Sequence, residues 1–236
     1  MIKIEEEFLK YMELRKKVGI ELISENIDEI FKVINQNSLP YRRKMAFYNC
    51  ALMDVENRFN LLKEELSMDS ERNPIESIKS RIKTPESLIK KMVKKRISKI
   101  EDIDQEIHDI AGVRVVCSFL EDVYYLEKRI LSQNDVKLIS RKDYIKNPKK
   151  SGYQSLHLIV EVPIQLENEE KNVCVEIQIR TIAMDFWASL EHKLRYKKNL
   201  NDDILNEIND TLYKCSNSIS KMDKEMQKIK TLIDTN

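Results

Sequence analysis

Apolar residues recur at every third or fourth position over residues 1–66, a spacing that is typical of amphipathic helices. A polar stretch at residues 35–40 ends in Pro40 and divides this pattern into two helices. The second helix is predicted to extend from Tyr41 to Leu66. Neither helix carries a group of residues that suggests chemistry, so we predict that both are scaffold or subunit contacts.

The middle of the chain alternates short apolar segments with helical ones. Segments with the length and composition of strands are Ile75–Ile82, Ile110–Cys117, Val136–Ser140, Gln154–Val162 and Asn172–Ile179. Helical spacing predicts helices at Glu121–Leu131 and Thr181–Lys197. We expect a polar connector at Glu101–Glu106 and a charged hairpin turn at Leu166–Lys171. Strands that interleave with helices predict an α/β or α+β core.

From Asp202 onward, apolar residues follow one narrow line along a predicted helix. These residues are Ile204, Ile208, Leu212, Cys215, Ile219, Met222, Met226, Ile229 and Ile233. An apolar line of this width suits packing against another helix. It predicts either a cover for the same domain or a contact between subunits.

Charge and cysteine content narrow the class of protein. Lysine and arginine number 41 against 40 aspartate and glutamate residues, so a general nucleic-acid coat protein is disfavoured and any basic function must come from local clusters. The cysteines (Cys50, Cys117, Cys174 and Cys215) lack a paired metal-binding spacing, and we expect buried thiols in a reducing cytosol. We identify no secretion signal and no apolar run that would cross a bilayer, so we expect a cytoplasmic protein without membrane contact.

Glycine is scarce in this chain. The three glycines are Gly19, Gly112 and Gly152, which excludes a Walker A loop and a dinucleotide-binding glycine fingerprint. Any nucleotide phosphates must therefore be held by side chains.

A carboxylate, an amide and a guanidinium occupy alternate positions of the last predicted strand. Glu176, Gln178 and Arg180 therefore share one face of that strand. A lysine-rich segment, residues 142–157, precedes it and contains Tyr153 directly after a glycine. Such a set suits a metal ion and phosphates better than a protein core.

Basic residues also cluster where the first predicted strand meets the following helix. Thr84 is a candidate N-cap residue of that helix. Arg81 and Lys83 point the same way, and Ser87 and Lys91 lie one helical turn apart on one face. These side chains converge beside free backbone N–H groups, which favours an anion. Taken alone, the segment fits a solvated basic helix better.

One charge, Arg114, interrupts an otherwise apolar strand, where it is costly unless it is paired or functional. Asp109, at the start of that strand, is either a metal ligand or a loop carboxylate. Asp109 and Glu176 can share a Mg²⁺ ion, and Tyr153 offers a flat face for stacking a base. These groups favour phosphoryl-type transfer between two nucleotides, in which Glu176 both binds the metal and accepts the hydroxyl proton.

The same residues lie in strings that resemble the synthetase domain of the RelA/SpoT family, in the short single-domain form known as small alarmone synthetases. The most specific strings are Gly-Tyr-Gln-Ser-Leu-His and Glu-Ile-Gln-Ile-Arg-Thr. The resemblance covers Arg81–Met92, Asp109–Val115, Asp143–His157 and Glu176–His192. Ser151, where many relatives carry asparagine, and the charged insert 167–171 depart from the family pattern.

The resemblance implies an α+β (α/β) fold, a nucleotidyltransferase-like mixed β-sheet flanked by helices. It implies transfer of the β,γ-pyrophosphate of ATP to the 3′-hydroxyl of GDP or GTP, with Mg²⁺ as cofactor and no hydrolase domain. Residues 67–198 would form the synthetase domain. Residues 1–66 and 199–236 would be helical extensions, and small relatives resemble homotetramers that assemble through such extensions. Some of them respond to their own alarmone product or to single-stranded RNA.

The resemblance also assigns roles by position. Asp109 and Glu176 match the metal-binding and catalytic carboxylates. Arg81 and Arg114 resemble the pair that sandwiches adenine. The residues that resemble contacts to the ATP phosphates are Lys83, Ser87 and Lys91. The residues placed around the guanine nucleotide are Lys142, Lys149, Tyr153, His157, Gln178, Asp185, Glu191 and His192, with Asp185 accepting hydrogen bonds from the base.

Two other functions compete with this assignment. His108 and Asp109 form a dipeptide that also suits a phosphohydrolase, but such a site needs several metal-binding histidines, and His157 and His192 belong to the synthetase pattern. A regulator that binds nucleotide or RNA without catalysis is the second alternative. It requires neither carboxylate, so the presence of both favours the enzyme.

Overall fold

The computed structural model describes residues 38–69, 72–97, 99–195 and 202–235. The predicted helix before residue 35 lies outside these ranges. The helices are α1 (Leu39–Asp69), α2 (Pro85–Lys95), α3 (Ile103–Glu106), α4 (Leu120–Leu131), α5 (Ile182–Arg195) and α6 (Asp202–Asp234). The strands are β1 (Ile75–Ile82), β2 (Ala111–Cys117), β3 (Lys137–Asp143), β4 (Leu156–Leu166) and β5 (Glu169–Thr181).

The strands form one five-stranded sheet in the order β1-β2-β5-β4-β3. The pair β2–β5 is parallel, and the other three pairs are antiparallel. A mixed sheet with flanking helices confirms the predicted α+β class.

Alternation along the strands gives the sheet an apolar side and a polar side. Val113, Val115, Leu158, Ile177 and Ile179 are at most 1% exposed and belong to the apolar side. Helix α4 buries an apolar stripe of its own and contacts β2 and β5. The core therefore fixes the strand register, and the register places the polar side chains.

The described residues divide into two compact units. Residues 38–46 and 83–107 form one unit, and residues 47–82 and 108–235 form the other, which contains the whole sheet. In the first unit, Thr84 caps α2 by accepting a hydrogen bond from the backbone N–H of Ser87, with Pro85 at the first helical position, as predicted.

Two segments that were predicted to be connections contain regular structure. The expected connector at Glu101–Glu106 contains the short helix α3, because Ile103 and Ile107 are fully buried on one side of it. The expected turn Leu166–Lys171 is mostly strand. Strands β4 and β5 pair as far as Leu166 and Glu169, because charged side chains are tolerated on a solvated hairpin.

Strand β3 ends at Asp143 rather than at the predicted Ser140, and this extension matters for the site. The added residues pair with β4, so that Lys142 lies opposite His157. The last three residues of β3 are charged, so the apolar pattern of the sequence did not predict that the strand includes them.

Helix α6 packs on a line that lies beside the predicted one. Leu212 is buried against Trp187, but the next buried residues are Ser216 and Asp223 rather than Cys215 and Met222. Their polar groups are used, since Ser216 donates a hydrogen bond to the carbonyl oxygen of Gly152 and Asp223 accepts one from Thr181. The inward face of α6 therefore combines Ile208, Leu212 and Ile219 of the predicted line with these two polar residues.

The prediction that the cysteines are buried is confirmed for one of the four. Cys117 is buried, Cys50 and Cys174 are half-buried, and Cys215 is exposed on α6. Burial raises the pKa of the Cys117 thiol well above its usual value. In the part of the chain that the structure describes, no helix has the length and apolar character required to span a membrane.

Candidate active site

One row of polar side chains crosses all five strands. The paired residues, in strand order, are Lys79, Arg114, Gln178, His157 and Lys142. Partners in neighbouring strands point to the same side of the sheet, so these five side chains share the polar side. The sequence places no two of them on one strand, and the fold brings them into one line.

A cavity of about 260 Å³ opens on this side over β1, β2 and β5. Its lining residues are Lys79, Ser80, Arg81, Gly112, Val113, Arg114, Glu176 and Gln178. Gly112 lies between Arg81 and Glu176 in the strand register. A Cβ atom there would meet the backbone oxygen of Glu176 at 3.8 Å and no closer atom, so the absent side chain leaves this floor open.

Glu176 receives a hydrogen-bonding partner at each carboxylate oxygen. Nδ1 of His157 lies 3.3 Å from Oε1, and Nε2 of Gln178 donates to Oε2 at 2.7 Å. Burial by itself would raise the pKa of Glu176, but the hydrogen bond and charge of His157 and the bond from Gln178 outweigh it, so the pKa is lowered. The carboxylate is therefore held ionised in a half-buried site.

Asp109 acts on the same carboxylate. Its negative charge opposes the lowering of the pKa of Glu176, so the two acids lie within electrostatic reach of each other. No cluster of three or more His, Cys, Asp or Glu side chains suited to a metal occurs among the described residues. Mg²⁺ in nucleotide-dependent sites takes one or two carboxylates, with water and phosphate completing the shell. A pair of mutually repelling carboxylates fits that requirement.

Asp185, at the start of α5, joins two arginines. Its Oδ1 accepts hydrogen bonds from Nη1 of Arg180 at 3.1 Å and from Nη1 of Arg114 at 3.3 Å. Burial and the positive charge of Arg180 lower the pKa of Arg114, and the carboxylate of Asp185 opposes them. Asp185 thus offsets the repulsion between two guanidinium groups at the edge of the cavity.

Tyr153 lies in a turn whose backbone requires glycine. Gly152 has a φ of +89°, and a Cβ there would lie 2.7 Å from Cβ of Ser216 on α6. The ring of Tyr153 packs on the apolar cluster of Trp187, Ala188 and Leu212. Burial raises the pKa of its hydroxyl, which stays protonated.

Basic and aromatic groups surround this tyrosine. Nζ of Lys149 lies 4.7 Å from the ring centre of Tyr153 and 4.5 Å from that of Tyr144. Tyr144 meets His157 edge-to-face, with 5.2 Å between ring centres. Lys142 is exposed at the end of the polar row. This arrangement offers a flat ring and two ammonium groups to a planar anionic ligand.

The remaining predicted site residues lie on helices. Ser87 is exposed in the first turn of α2, with Lys91 one turn later and Lys83 just before the helix. These residues belong to the unit formed by residues 38–46 and 83–107, and their role stays a prediction. Glu191 is half-buried and His192 exposed, both about two turns beyond Asp185 on α5; their role also stays a prediction.

Comparison with known proteins identifies the family. The sequence profile described as "Region found in RelA / SpoT proteins" matches residues 80–201. The chain belongs to the RelA/SpoT family. The resemblance inferred from the Gly-Tyr-Gln-Ser-Leu-His and Glu-Ile-Gln-Ile-Arg-Thr strings is therefore confirmed, and both strings lie inside the matched region.

RelA/SpoT relatives match most of this chain. GTP pyrophosphokinase YwaC of Bacillus subtilis is 40% identical over 195 residues, which are 82% of this chain and 92% of the relative. GTP pyrophosphokinase YjbM of the same organism is 34% identical over 190 residues, 80% of this chain and 88% of the relative. Among solved structures, small alarmone synthetase 1 from Bacillus subtilis bound to its product pppGpp has a TM-score of 0.74 at 32% identity, covering 82% of this chain and 98% of that one. Small alarmone synthetase 2 from the same organism has a TM-score of 0.72 at 39% identity, and the match covers 81% of this chain and 98% of that one.

The structure adds residues that our role assignment left out of this RelA/SpoT site. Arg180 is only 4% exposed and lies in the middle of the hydrogen-bond network. Like Arg114, Arg180 is a charge within an otherwise apolar strand, which is the sequence signal that could have identified it. Tyr144 and Lys79 carried no comparable signal, because their places depend on the strand register.

Proposed function

We propose that this protein transfers the β,γ-pyrophosphate of ATP to the 3′-hydroxyl of GDP or GTP, with GMP as a further acceptor, and releases AMP. Alarmone synthesis is the activity of the family branch to which it belongs, and its relatives are GTP pyrophosphokinases.

One observation carries the assignment. Glu176 lines the cavity together with Arg81 and Arg114, and it is also linked through His157 to Tyr153. A single ionised carboxylate therefore stands between a guanidinium-lined cavity and an aromatic turn. Transfer between two purine nucleotides requires such a group at the boundary between donor and acceptor.

On the donor side, Arg81 and Arg114 hold adenine between two guanidinium planes, which stack well on aromatic rings. The phosphates of ATP are assigned to Lys83, Ser87 and Lys91 by the family resemblance. Side chains must bind these phosphates, since the sequence has no glycine-rich phosphate loop.

On the acceptor side, Tyr153 stacks on guanine, and Lys142 and Lys149 neutralise phosphate charge. Asp185 accepts hydrogen bonds from the N1–H and amino group of the base. The remaining acceptor-side residues are His157, Gln178, Glu191 and His192.

The transfer requires no reactant other than the two nucleotides. Glu176 accepts the proton of the 3′-hydroxyl while the oxygen forms a bond to the β-phosphorus of ATP. The bond from that phosphorus to the oxygen bridging to the α-phosphate breaks, and AMP departs with that oxygen. Gln178 and His157 keep Glu176 oriented toward the cavity during this step.

We propose Mg²⁺ as the cofactor, held by Asp109 and Glu176. When bound, the ion would neutralise charge on the transferring phosphates. The mutual repulsion of the two carboxylates supports this assignment, because a cation between them relieves it.

We also propose a cytoplasmic homotetramer that assembles through its terminal helices. The exposed apolar residues of α6 support the contact. Regulation by an alarmone or by single-stranded RNA is part of the same proposal, and both ligands suit sites formed between subunits.

The decisive experiment mixes the purified protein with Mg²⁺, ATP labelled in its γ-phosphate, and GDP, GTP or GMP. We expect a guanosine nucleotide with a labelled 3′-pyrophosphate and an equal amount of AMP. Glu176→Gln should abolish both products, whereas Glu161→Gln, which removes a carboxylate paired with Lys137 away from the cavity, should not. Binding of both nucleotides without product would instead support a non-catalytic regulator, and a fully active Glu176→Gln would refute the role of Glu176 as the proton acceptor. Omitting Mg²⁺ should stop product formation.

A further inference from the structure

Arg180, on the polar side of the sheet, donates hydrogen bonds to four other side chains. Its guanidinium donates to Oη of Tyr153 at 2.6 Å and to Oε1 of Gln178 at 2.6 Å. It also donates to Asp185 at 3.1 Å and to Oγ of Ser155 at 3.4 Å. Arg180 is not itself one of the cavity-lining residues, and its described hydrogen bonds do not include one to Glu176, so it acts on that carboxylate through its neighbours.

The contact with Gln178 fixes which end of the amide faces Glu176. A guanidinium only donates hydrogen bonds, so the atom that faces Arg180 must be the amide oxygen. The amide nitrogen therefore points the other way, where it donates to Oε2 of Glu176 at 2.7 Å. The oxygen and nitrogen of a side-chain amide have nearly the same shape, so the hydrogen-bond partners decide which atom occupies which position.

The contact with Tyr153 gives a second chain. The phenol oxygen accepts from Arg180 and keeps a proton of its own, which it can donate to Nε2 of His157, 2.7 Å away. A neutral His157 whose Nε2 accepts must carry its proton on Nδ1. Nδ1 lies 3.3 Å from Oε1 of Glu176. The second chain thus also ends in a donor aimed at the carboxylate.

We propose that Arg180 is a positioning residue for Glu176, acting through two hydrogen-bond chains, one by way of Gln178 and one by way of Tyr153 and His157. The chains reach different carboxylate oxygens, so together they fix the plane of the carboxylate. The consequence for the reaction rests on the proposed function, whereas the direction of the hydrogen bonds does not. A lysine at this position would keep the charge, but one ammonium group cannot replace the fork of the guanidinium.

The first test measures kcat and KM for Arg180→Lys. A carboxylate displaced by about 1 Å costs on the order of 100-fold in rate, so kcat should fall by about that factor, while KM for ATP should change by no more than about twofold. Arg58→Lys is the matched control. Arg58 is half-buried and likewise donates to three side chains, those of Asp54, Gln133 and Asp135, but it lies outside the site. An effect on kcat no larger than that of the control would overturn the proposal.

The second test asks whether the residues act as one chain. Gln178→Met should lower kcat in the wild-type background and have little further effect in Arg180→Lys, because the chain is already broken there. Independent, multiplying effects would contradict the proposal. If Arg180→Lys does not fold, the double variant Tyr153→Phe with Gln178→Met breaks both chains and leaves Arg180 in place. It should reproduce the loss of kcat, and a kcat close to that of either single variant would overturn the proposal.

The third test does not depend on turnover. The chain has only three histidines, so ¹⁵N NMR can follow each ring separately. Under conditions where the rings are neutral, His157 should carry its proton on Nδ1 in the wild type and lose that preference in Arg180→Lys, with His108 and His192 unchanged. A wild-type His157 protonated on Nε2 would overturn the proposal even in an active enzyme. Conversely, the expected tautomer in a protein that forms no product would leave the chains in place and refute only the proposed reaction.

Discussion

The hydroxyl oxygen of Tyr153 lies 2.7 Å from Nε2 of His157. The tyrosine therefore has two separable parts, a ring that packs beside α5 and α6 and a hydroxyl that belongs to the network around Glu176. Variants that remove one part or both should have different effects.

Tyr153→Leu should weaken binding of the guanine nucleotide and leave ATP binding unchanged. Loss of base stacking costs about 1–3 kcal/mol, equivalent to roughly 5- to 150-fold in Kd. Calorimetry with GDP and with a non-hydrolysable ATP analogue measures both. Tyr153→Phe keeps the ring, so its GDP affinity should stay close to that of the wild type. Tyr125→Leu, which removes an exposed tyrosine on α4, is the control, and an equal loss of GDP affinity there would refute the stacking role.

Gly152→Ala should destabilise the protein and weaken guanine-nucleotide binding together. The added methyl group meets Cβ of Ser216 at 2.7 Å, and the φ of +89° is unfavourable for alanine. Such left-handed strain costs about 1–2 kcal/mol before the steric clash is added. Thermal unfolding and GDP titration provide the measurements.

Gly112→Ala is the matched comparison for that variant. Its Cβ meets no atom closer than 3.8 Å and its φ is not strained, so the unfolding temperature should stay near that of the wild type. The methyl group enters the cavity, so the Kd for ATP should rise. Equal destabilisation by the two alanines would show that the turn has no special requirement for glycine.

Asp223→Asn should stabilise the protein at neutral pH. Burial raises the pKa of Asp223 above its usual value, and the hydrogen bond from Thr181 only partly opposes this. The folded state therefore holds the proton more tightly than the unfolded state, and stability falls as pH rises from the unfolded pKa through the folded pKa. Asparagine removes that loss and still accepts the bond from Thr181.

The gain in melting temperature should be a few degrees, since about 1 kcal/mol shifts Tm by roughly 2–4 °C in a chain of this size. Thermal unfolding at about pH 8 and at about pH 4, close to the ordinary pKa of aspartate, should show the gain shrinking toward the acid end. Asp210→Asn changes an exposed carboxylate on the same helix and is the control. A gain independent of pH would contradict the assignment.

Charged substitutions on the outer face of α6 should disrupt the proposed assembly while leaving the fold intact. Met226 and Ile229 are each 50% exposed, and Met222 and Ile233 extend the same stripe. Replacing Met226 and Ile229 by lysine should lower the molar mass measured by light scattering. Asn217→Lys adds a charge at another exposed position of α6 and should leave the mass unchanged. An unchanged mass in the double variant would place the subunit contact elsewhere.

Much of the fold could be predicted because its apolar pattern was regular. The bounds of β1 agree with the predicted strand, and the alternation of Glu176 and Gln178 on β5 follows directly from a two-residue period. The cap at Thr84 follows from local chemistry. Each of these features depends on residues that are close together in the sequence.

The features that were missed depend on contacts between distant segments. Ser216 is buried on α6 where it donates to the carbonyl of Gly152, 64 residues away along the chain, so apolar periodicity indicated Leu212 but not the polar positions that are buried beside it. The extension of β3 is fixed by pairing with β4, and Arg180 gains its importance from Tyr153 and Asp185. Periodicity predicts which side a residue faces but not which partner it meets there.

The polar row across the sheet has a consequence for folding. Each of its residues comes from a different strand, and a shift of one residue in any pairing turns a side chain to the opposite side. A slip of β4 against β5 would replace His157 by Leu156 or Leu158 at its position beside Gln178. A molecule with a shifted strand would therefore lose catalytic activity and would not gain a different specificity. The catalytic rate of a sample thus measures the fraction of molecules whose strands are correctly aligned.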